Sequence, residues 1–259
     1  MAHIHPTAIV SPKARIAEDA TIGPFAIVRD DVDIGPGSSI GPHCLIDDGA
    51  RIGSNVVIHQ GTVVSTPPQD LKYRGEKTEL FIGDGTMVRE YCTLNRGTSH
   101  SLKSVIGKNC FLMAYAHVAH DCMLGDHVII ANAVQMGGHT LIGEYAIVGG
   151  STAIHQFTHI GMHAMIAGGI RIVKDVPPYC LAGNVPARFE GLNSVGLRRR
   201  GFPRETIEAL HATYRAIYYS GMNVSQGVEY VRRNIPLIPE VQNVLDFIAQ
   251  STRGIIKAA

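Results

Sequence analysis

The sequence predicts a mainly β protein, in which a parallel β-helix with the section of a triangular prism is followed by an α-helical domain. Three observations lead to this prediction. An aliphatic residue recurs at every sixth position, glycine often follows it, and helical spacing replaces this period near residue 190. We therefore expect the β-helix to cover residues 1–189 and the helical domain to cover residues 190–259.

The six-residue period is the strongest indication of a β-helix, because it fits neither an α-helix nor a simple alternating strand. A chain that runs a short strand, turns and repeats sends one aliphatic side chain per turn to a central axis. Three such sides of six residues close one coil of 18 residues, and stacked coils lie about 4.8 Å apart, the ordinary spacing of strands in a sheet. The aliphatic positions are Ile4, Val10, Ile16, Ile22, Val28, Ile34, Ile40, Ile46, Ile52, Ile58, Val64, Ile82, Val88, Leu94, Ile106, Leu112, Val118, Leu124, Ile130, Met136, Ile142, Val148, Ile154, Ile160, Ile166 and Ile172.

The corners of the expected prism are marked by glycine, which follows the aliphatic residue after Ile22, Ile40 and Ile106, among others. Glycine, aspartate and asparagine adopt tight turns at low cost. We expect these residues to form the corners between the three sides.

Two polar segments interrupt the period and are expected to leave the prism as loops. The first, "STPPQDLKYRGEKTELF", covers residues 65–81, and the second, "GTSHSLKS", covers residues 97–104. Loops on a rigid scaffold often carry binding residues. The charge concentrated in the first loop favours a functional role for it.

The last part of the chain has the spacing of helices. Residues 203–221 place apolar side chains on one helical face, with Pro203 suited to a first helical position and Gly221 suited to a stop. Two further helices are predicted over 225–235 and 239–254. We expect this tail to cover an open end of the prism, because a solenoid must protect its last sheet edges.

Composition and charge narrow the class of protein. A formal net charge of +1 predicts no strong attraction to nucleic acid or to a membrane surface. We also expect no membrane span and no signal peptide, because the chain lacks an apolar run of about 18 residues and a basic start. The 5 cysteines form no Cys-x-x-Cys pair, which predicts reduced thiols and a cytoplasmic location.

Several histidines fall near one another if the 18-residue coil is correct. His117 and His120 flank one inward position, and His139 and His155 follow the inward positions of the next two coils. We expect these histidines to share one edge of the prism and to point outward toward a neighbouring prism. A histidine titrates near neutral pH and can take a proton from a hydroxyl. Asp121, directly after His120, is suited to hold the other ring nitrogen, as in a catalytic triad without the serine.

The repeat resembles that of the hexapeptide-repeat transferases. This resemblance implies coils that wind left-handed and a homotrimer with active sites between prisms. Within that group, six motifs in register resemble the acyl-carrier-protein-dependent UDP-N-acetylglucosamine O-acyltransferases. The motifs are "PQDLKY" (68–73), "HVAHDC" (117–122), "GGH" (137–139), "HQF" (155–157), "KDVPPY" (174–179) and "GLRRRGF" (196–202).

The resemblance implies a reaction and roles for particular residues. A 3-hydroxyacyl chain would pass from acyl carrier protein to the 3-hydroxyl of UDP-N-acetylglucosamine, the first step of lipid A biosynthesis, with no cofactor and no metal. His120 would be the general base, Asp121 its orienting partner, and the backbone N–H of Gly138 the donor that stabilises the oxyanion. The implied substrate-binding residues are Gln69, Asp70, Lys72, His117, His139, His155, Gln156, Met165, Gly168, Asn193, Arg199 and Arg200.

Two of these implied residues bear on acyl-chain length. Gly168 matches the position at which a bulky residue would shorten the hydrocarbon slot, and Met165 lies near the wall of that slot. The sequence does not assign a chain length, because one methylene in an apolar pocket is worth only about 1–3 kcal/mol.

The chain departs from the family pattern at three places. Asn95 stands where a histidine is expected in the segment Leu94–Gly97, Val195 stands where an acidic residue is common, and a histidine expected near 185 is absent. The last two departures leave open the uracil contacts. They also leave open whether the acceptor is the 3-hydroxyl sugar or its 3-amino analogue.

Other functions remain open at the level of sequence. Proteins resembling the γ-class carbonic anhydrases hold zinc with three histidines between subunits, but His117 and His120 are three residues apart and not the expected five. A related N-acyltransferase that acts on a sugar already acylated at the 3-position is a second alternative, against which "QDLKY" argues. A non-catalytic module that binds a carrier protein is a third.

Overall fold

The computed structural model describes residues 2–259, and most of this range forms three parallel sheets around one axis. The strands of the first sheet are His3–Ile4, Thr21–Ile22, Ser39–Ile40, Val57–Ile58, Met87–Val88, Phe111–Leu112, Ile129–Ile130, Ile147–Val148, Met165–Ile166, Cys180–Gly183, Arg188–Leu192 and Lys257–Ala258. Those of the second sheet are Ile9–Val10, Ile27–Val28, Leu45–Ile46, Val63–Thr66, Thr93–Asn95, His117–Val118, Gln135–Met136, Ala153–Ile154 and Arg171–Ile172. Those of the third sheet are Arg15–Ile16, Val32–Ile34, Ala50–Ile52, Glu79–Ile82, Lys103–Ile106, Met123–Leu124, Leu141–Ile142 and His159–Ile160.

The chain visits the three sheets in turn, so that each strand pairs with the strand one coil later. In the second sheet, Val118 is in register with Met136, Met136 with Ile154, and Ile154 with Ile172. These offsets of 18 residues confirm the predicted coil. The protein is a left-handed parallel β-helix. The six-residue period predicted the β-helix, and the resemblance to the hexapeptide-repeat transferases predicted its hand.

The inward aliphatic column forms the core of the prism. Leu112 and Ile130 are fully buried, as are most members of the column between Ile22 and Ile172. Burying one such side chain contributes roughly 1.5–3 kcal/mol. At the N-terminal end the column opens to solvent, where Ile4 is 44% exposed.

The corners of the prism agree with the sequence prediction in part. At some corners the left-handed backbone conformation is taken by the expected residue types, namely Gly37, Gly49, Gly61, Gly85, Gly169, Asn55, Asn109 and Asp121. At others it is taken by aromatic and histidine residues, such as Tyr145 with a φ of 58° and His163 with a φ of 55°. This conformation costs about 1–2 kcal/mol for a residue with a side chain. Stacking between coils offsets the cost, since the Tyr145 ring lies 4.9 Å from that of His163 and 4.5 Å from that of His127.

The glycines that follow the inward aliphatic residues have a different purpose from the one expected. Gly107 is not in the left-handed region, but a Cβ atom there would lie 2.5 Å from the backbone of Gly125 in the next coil. Glycine is therefore needed at this position because the coils approach each other closely. The prediction that glycine forms the turns therefore holds for left-handed glycines such as Gly37 and Gly85, and not for the glycines that directly follow the aliphatic residues.

The two interruptions of the period are loops, as expected. The longer loop leaves the second sheet after Thr66 and returns to the third sheet at Glu79, while the shorter one joins Asn95 to Lys103. The strands that flank each loop stay paired with their neighbours, with one shift of register after Val64, where Thr66 pairs with Asn95. The prism therefore continues beneath both loops.

Four helices follow the prism within residues 2–259: α1 (Ser194–Arg199), α2 (Arg204–Tyr219), α3 (Val224–Asn234) and α4 (Pro239–Gln250). The three predicted helices correspond to α2, α3 and α4, whereas α1 was not predicted. Pro203 is the residue before the first turn of α2 and does not lie within that turn. The final strand Lys257–Ala258 returns to pair with Arg188 and Phe189, which ties the tail to the first sheet. No helix in residues 2–259 is long and apolar enough to cross a membrane.

The division into domains at residue 189 stays a prediction. The expected boundary falls inside the strand Arg188–Leu192, which pairs antiparallel with Cys180–Gly183. The helices pack directly on that region, where the buried Tyr214 hydroxyl of α2 donates to the carbonyl of Pro178.

The buried column yields a stability prediction. We expect Leu112→Ala to lower the free energy of unfolding by about 2–5 kcal/mol, because the surrounding coils cannot collapse into the cavity. Urea unfolding at one fixed protein concentration measures this change. The matched control is Thr21→Ala, on the exposed side of the same sheet, which should change stability by less than about 0.5 kcal/mol. Equal effects of the two substitutions would contradict a core built on the aliphatic column.

Candidate active site

His120 and Asp121 form a buried hydrogen-bonded pair at the corner that joins the second sheet to the third. The Nδ1 atom of His120 lies 2.7 Å from Oδ2 of Asp121. Asp121 adopts the left-handed corner conformation, with a φ of 57°, which turns its carboxylate back toward the preceding ring. The corner geometry of the repeat therefore brings two adjacent side chains into contact.

The shorter loop supplies the other partners of Asp121. Its carboxylate accepts hydrogen bonds from the backbone N–H of Thr98 at 3.1 Å, the Thr98 hydroxyl at 2.8 Å, the Ser101 N–H at 3.2 Å and the Ser101 hydroxyl. Burial raises the pKa of Asp121, but hydrogen bonds from His120, Ser101 and Thr98 outweigh it and hold the pKa well below the usual range. The carboxylate is therefore a fixed negative charge that cannot readily take a proton from His120.

The ring of His120 rests directly on Gly138, one coil further along the prism. A Cβ atom at residue 138 would lie 2.5 Å from Cε1 and 2.7 Å from Nε2 of His120. Only glycine leaves room for the ring. Since Asp121 accepts from Nδ1, the lone pair lies on Nε2, for which the described residues provide no hydrogen-bond partner. His120 is thus arranged to act as a base through Nε2.

His139 forms the wall beside His120. Its ring stacks on Phe157 with centroids 4.3 Å apart and meets the rings of His120 and His100 edge-on at 5.0 and 4.7 Å. Burial lowers the pKa of His139, and its Nδ1 is buried with no partner among the described residues. Because Nδ1 is buried, a molecule bound in front of this wall would meet the other atoms of the His139 ring.

The longer loop closes a pocket of about 210 Å³ over this wall. Asp70 and Lys72 line the pocket from the loop, and His139 lines it from the prism. The remaining lining residues are Tyr73, Glu76, Thr98, Ser99, His100 and Phe157. Gln69 lies in the same loop and is exposed.

The four histidines lie around one corner, as expected, but they occupy different positions of the repeat. His117 points outward from a strand of the second sheet, where its Nδ1 lies 2.7 Å from the Thr93 hydroxyl and burial lowers its pKa. His120 shares its register with Gln156, and His139 shares its register with Phe157. His155 occupies a third position, with its Nδ1 2.9 Å from its neighbour's carbonyl.

The other predicted substrate-binding residues lie elsewhere on the prism. Met165, Asn193, Arg199 and Arg200 line a cavity of about 430 Å³ between the first sheet and α1. Gly168, three residues after Met165, is exposed. A Cβ atom at residue 168 would lie 2.9 Å from the carbonyl oxygen of Gly150. This cavity and the pocket at the His120 corner share no lining residue.

The cavity at α1 is rigidly built. Asn193 caps α1 by accepting from the N–H of Gly196 at 3.2 Å, and it donates to the His163 carbonyl at 2.9 Å. The Arg200 guanidinium lies 5.3 Å from the ring centroid of Tyr145 and donates to its carbonyl. Burial, together with the smaller effect of the Arg200 charge, lowers the pKa of His163 to about 4. Two arginines beside a capped helix form a surface suited to phosphate oxygens.

Sequence reasoning missed several residues of the site. Thr98 and Ser101 bind the carboxylate, His100 contacts His139, and Thr93 holds His117. The only signal was the interruption at residues 97–104, which is short and rich in hydroxyl side chains but does not show where the loop folds back.

The cluster of His120, Asp121 and His139 also has the spacing of a metal site, with potential ligand atoms within 4.8 Å of one another. Both carboxylate oxygens already accept hydrogen bonds, and Oδ2 is held by His120. A bound zinc ion would have to displace those donors. The donor set therefore fits an oriented base better than a zinc site.

Family models, curated relatives and solved structures that match this chain point to the same family. A family model described as UDP N-acetylglucosamine O-acyltransferase, domain 2, matches residues 175–256, and one described as bacterial transferase hexapeptide matches 13–48 and 103–138. The chain is 56% identical over 255 residues to an acyl-[acyl-carrier-protein]–UDP-N-acetylglucosamine O-acyltransferase of Chlorobaculum parvum, covering 98% of this chain and 97% of that protein. It is 46% identical to the enzyme of that name from Myxococcus xanthus, covering 99% and 100%. A solved UDP-N-acetylglucosamine acyltransferase from Bacteroides fragilis superimposes with a TM-score of 0.96 at 42% identity, covering 98% and 99%.

The environment of Asp121 predicts how stability changes with pH. The folded pKa lies below the unfolded value of about 3.9, so the stabilisation is complete above that pH and is lost as the pH falls toward the folded pKa. We expect Asp121→Asn to be less stable than the unmodified protein at pH 7, with the difference shrinking below about pH 4. Urea midpoints between pH 3 and 7 measure this difference. A difference that stays constant over that range would contradict the assigned environment.

Proposed function

This chain belongs to the acyl-[acyl-carrier-protein]–UDP-N-acetylglucosamine O-acyltransferases, and we propose that it transfers a 3-hydroxyacyl chain to the 3-hydroxyl of UDP-N-acetylglucosamine. This reaction is the first step of lipid A biosynthesis. The observation that carries the proposal is the buried His120–Asp121 pair, in which Nε2 of His120 is left free. The His120 ring meets, at 5.0 Å, the ring of His139, which lines the pocket closed by the loop at residues 65–81.

The proposed chemistry begins with His120. Its Nε2 removes the proton from the sugar 3-hydroxyl while Asp121 holds Nδ1–H and stabilises the imidazolium that forms. The sugar oxygen attacks the thioester carbonyl and forms a new C–O bond. The C–S bond then breaks, and the departing thiolate of the carrier takes the proton from His120. No cofactor enters this balance.

Gly138 is proposed to stabilise the oxyanion that forms on the thioester carbonyl. Its backbone N–H donates to no other described residue, and it lies against the His120 ring. A preorganised donor of this kind is worth about 10²–10³ in rate. Base and oxyanion donor thus come from consecutive coils of one corner.

Acceptor binding is proposed to involve both the loop and the corner. Lys72 supplies a cation from the loop beside Asp70, and Gln69 adds an exposed amide. The side chains assigned to the sugar and acyl groups at the corner are His117, His139, His155 and Gln156.

A second copy of the chain is required to complete this site, and we propose a homotrimer. Asn193, Met165, Arg199 and Arg200 lie against the first sheet, whereas His120 lies at the corner between the second and third sheets. One chain therefore carries the base and the assigned phosphate-binding residues in separate places. Two neighbouring prisms can bring them together in one cleft.

The outward side of the first sheet supports this assembly. Its outward positions form an in-register apolar column that is only partly covered within the chain. Soluble monomers rarely expose large contiguous apolar patches. The column consists of Val57, Met87, Phe111, Ile129, Ile147, Met165 and Leu181. Leu71 in the longer loop is 97% exposed and offers a further apolar contact.

The donor is proposed to be acyl carrier protein carrying a 3-hydroxyacyl thioester, and the location to be the cytoplasm. The names of the relatives include the carrier protein. All 5 cysteines lie within the described residues as buried free thiols, which fits a reducing compartment. The comparisons do not favour the zinc lyase.

The general-base role predicts the effect of a single substitution. We expect His120→Ala to lower kcat by about 10²–10⁴. Thermal stability should fall much less steeply than the rate, because Thr98 and Ser101 still donate to the Asp121 carboxylate. A coupled assay with UDP-N-acetylglucosamine and a 3-hydroxyacyl carrier protein measures the rate. The matched control is His43→Ala, at a corner near the N-terminal end, which should retain activity. A fully active His120→Ala protein would contradict the proposal.

The homotrimer predicts a linked loss of assembly and activity. We expect Phe111→Asp to yield smaller species by light scattering, because a carboxylate would be buried in the apolar column, and to remove acyl transfer. Arg15→Asp on the outer third sheet is the control for added charge and should stay assembled. An unmodified chain that is monomeric at working concentration, or an active Phe111→Asp monomer, would refute a shared site.

A further inference from the structure

The longer loop reaches the prism through very few polar contacts. Within residues 68–76 the backbone and side chains bond mostly to one another, as in the contact from Lys72 N–H to the Asp70 carboxylate and from Tyr73 N–H to the Asp70 carbonyl. Among the hydrogen bonds of residues 2–259, those from Arg96 to the Tyr73 hydroxyl are the ones that join this segment to the prism.

Arg96 is well placed to hold the loop. Its Nε and one terminal nitrogen lie 3.4 and 3.2 Å from the Tyr73 hydroxyl, and the guanidinium carbon lies 5.9 Å from the ring centroid. The other terminal nitrogen donates to the carbonyls of Ser65 at 2.8 Å and Asp48 at 3.0 Å. The guanidinium therefore connects the middle of the loop to the strand from which the loop departs.

The neighbours of Arg96 extend the connection in both directions. Asn95 donates to the Thr66 hydroxyl at 3.0 Å and to the Pro67 carbonyl at 3.2 Å, which fixes the start of the loop. Gly97 donates to the Glu79 carbonyl at 3.2 Å, which fixes its return. Thr98 then bonds to the carboxylate of Asp121. Four consecutive residues thus link both ends of the loop to the catalytic pair.

We propose that Arg96 is a positioning residue that, through Tyr73, sets where Lys72 and Asp70 stand opposite His139. This inference rests on the proposed function, because Lys72 and Asp70 are assigned to the acceptor. Arg96 does not line the pocket, so its effect is on acceptor binding and not on the chemical step. Tyr73, whose hydroxyl also donates to the Glu76 carbonyl at 2.9 Å, transmits the position along the loop.

The test is steady-state kinetics on the full-length protein with Arg96→Met, Arg96→Lys and Tyr73→Phe. We expect Arg96→Met to raise KM for UDP-N-acetylglucosamine about tenfold, with kcat and the KM for the acyl carrier within about twofold. Arg96→Lys should not restore the KM, because a single ammonium cannot bond to Tyr73 and Ser65 in a fork. Tyr73→Phe should raise the same KM, and the double variant should not exceed Arg96→Met.

Arg51→Met is the matched control. Arg51 is an equally buried arginine, 15% exposed like Arg96, and it binds Asp31 and Glu79 on the third sheet. We expect it to lower stability without changing the acceptor KM. Three results would overturn the positioning role: an unchanged acceptor KM in Arg96→Met, an equal rise of that KM in Arg51→Met, or a loss in Arg96→Met that falls on kcat and not on the acceptor KM.

Hydrogen exchange separates this inference from the proposed function. The amides of Lys72, Tyr73 and Arg74 are hydrogen-bonded within the loop, and Arg96→Met should speed their exchange while residues 117–122 stay protected. If the unmodified protein transferred no acyl group but this acceleration appeared, the proposed function would be wrong and the role of Arg96 in positioning the loop would still be supported. Unchanged exchange at these amides would refute the role of Arg96 in positioning the loop.

Discussion

The burial of one aliphatic side chain per six residues is the constraint on which the rest of the structure depends. It sets the register of every coil to 18 residues, as the pairing of Val118, Met136 and Ile154 shows. Because the register is fixed by the core, the outward groups inherit it. His120 therefore lies over Gly138, and His139 lies over Phe157, because the register of the core places them there.

The proposed site is held by many contacts on the side of the prism and by few on the side of the longer loop. The prism holds His120, Gly138 and His139 at fixed positions, and the shorter loop locks Asp121 with Thr98 and Ser101. The loop residues that are proposed to bind the acceptor depend instead on a few hydrogen bonds from the segment that begins at Asn95.

Much of this organisation was predictable from the sequence, because a repeat with one buried residue per turn leaves few alternatives. The β-helix, the two loops and the helices α2 to α4 all follow from periodicity. The aromatic corners did not, since the stacking of Tyr145 on His163 depends on coils that are 18 residues apart and on a backbone conformation that their residue types disfavour. The contacts of Thr98 and Ser101 depend on a loop path that no local pattern fixes, and the separation of Asn193 from His120 appears only once the three sheets are assigned to sides.

The central claim is that the register of the coils places the His120 ring against Gly138, and the single-turnover rate of acyl transfer by Gly138→Ala tests it most directly. The substitution keeps the backbone N–H but puts a methyl group where the ring lies. We expect a loss of at least about 10² in rate, whereas Gly107→Ala, which meets backbone at a similar distance away from the site, should cost stability but keep the rate. A Gly138→Ala protein that transfers acyl groups at the unmodified rate would contradict the account.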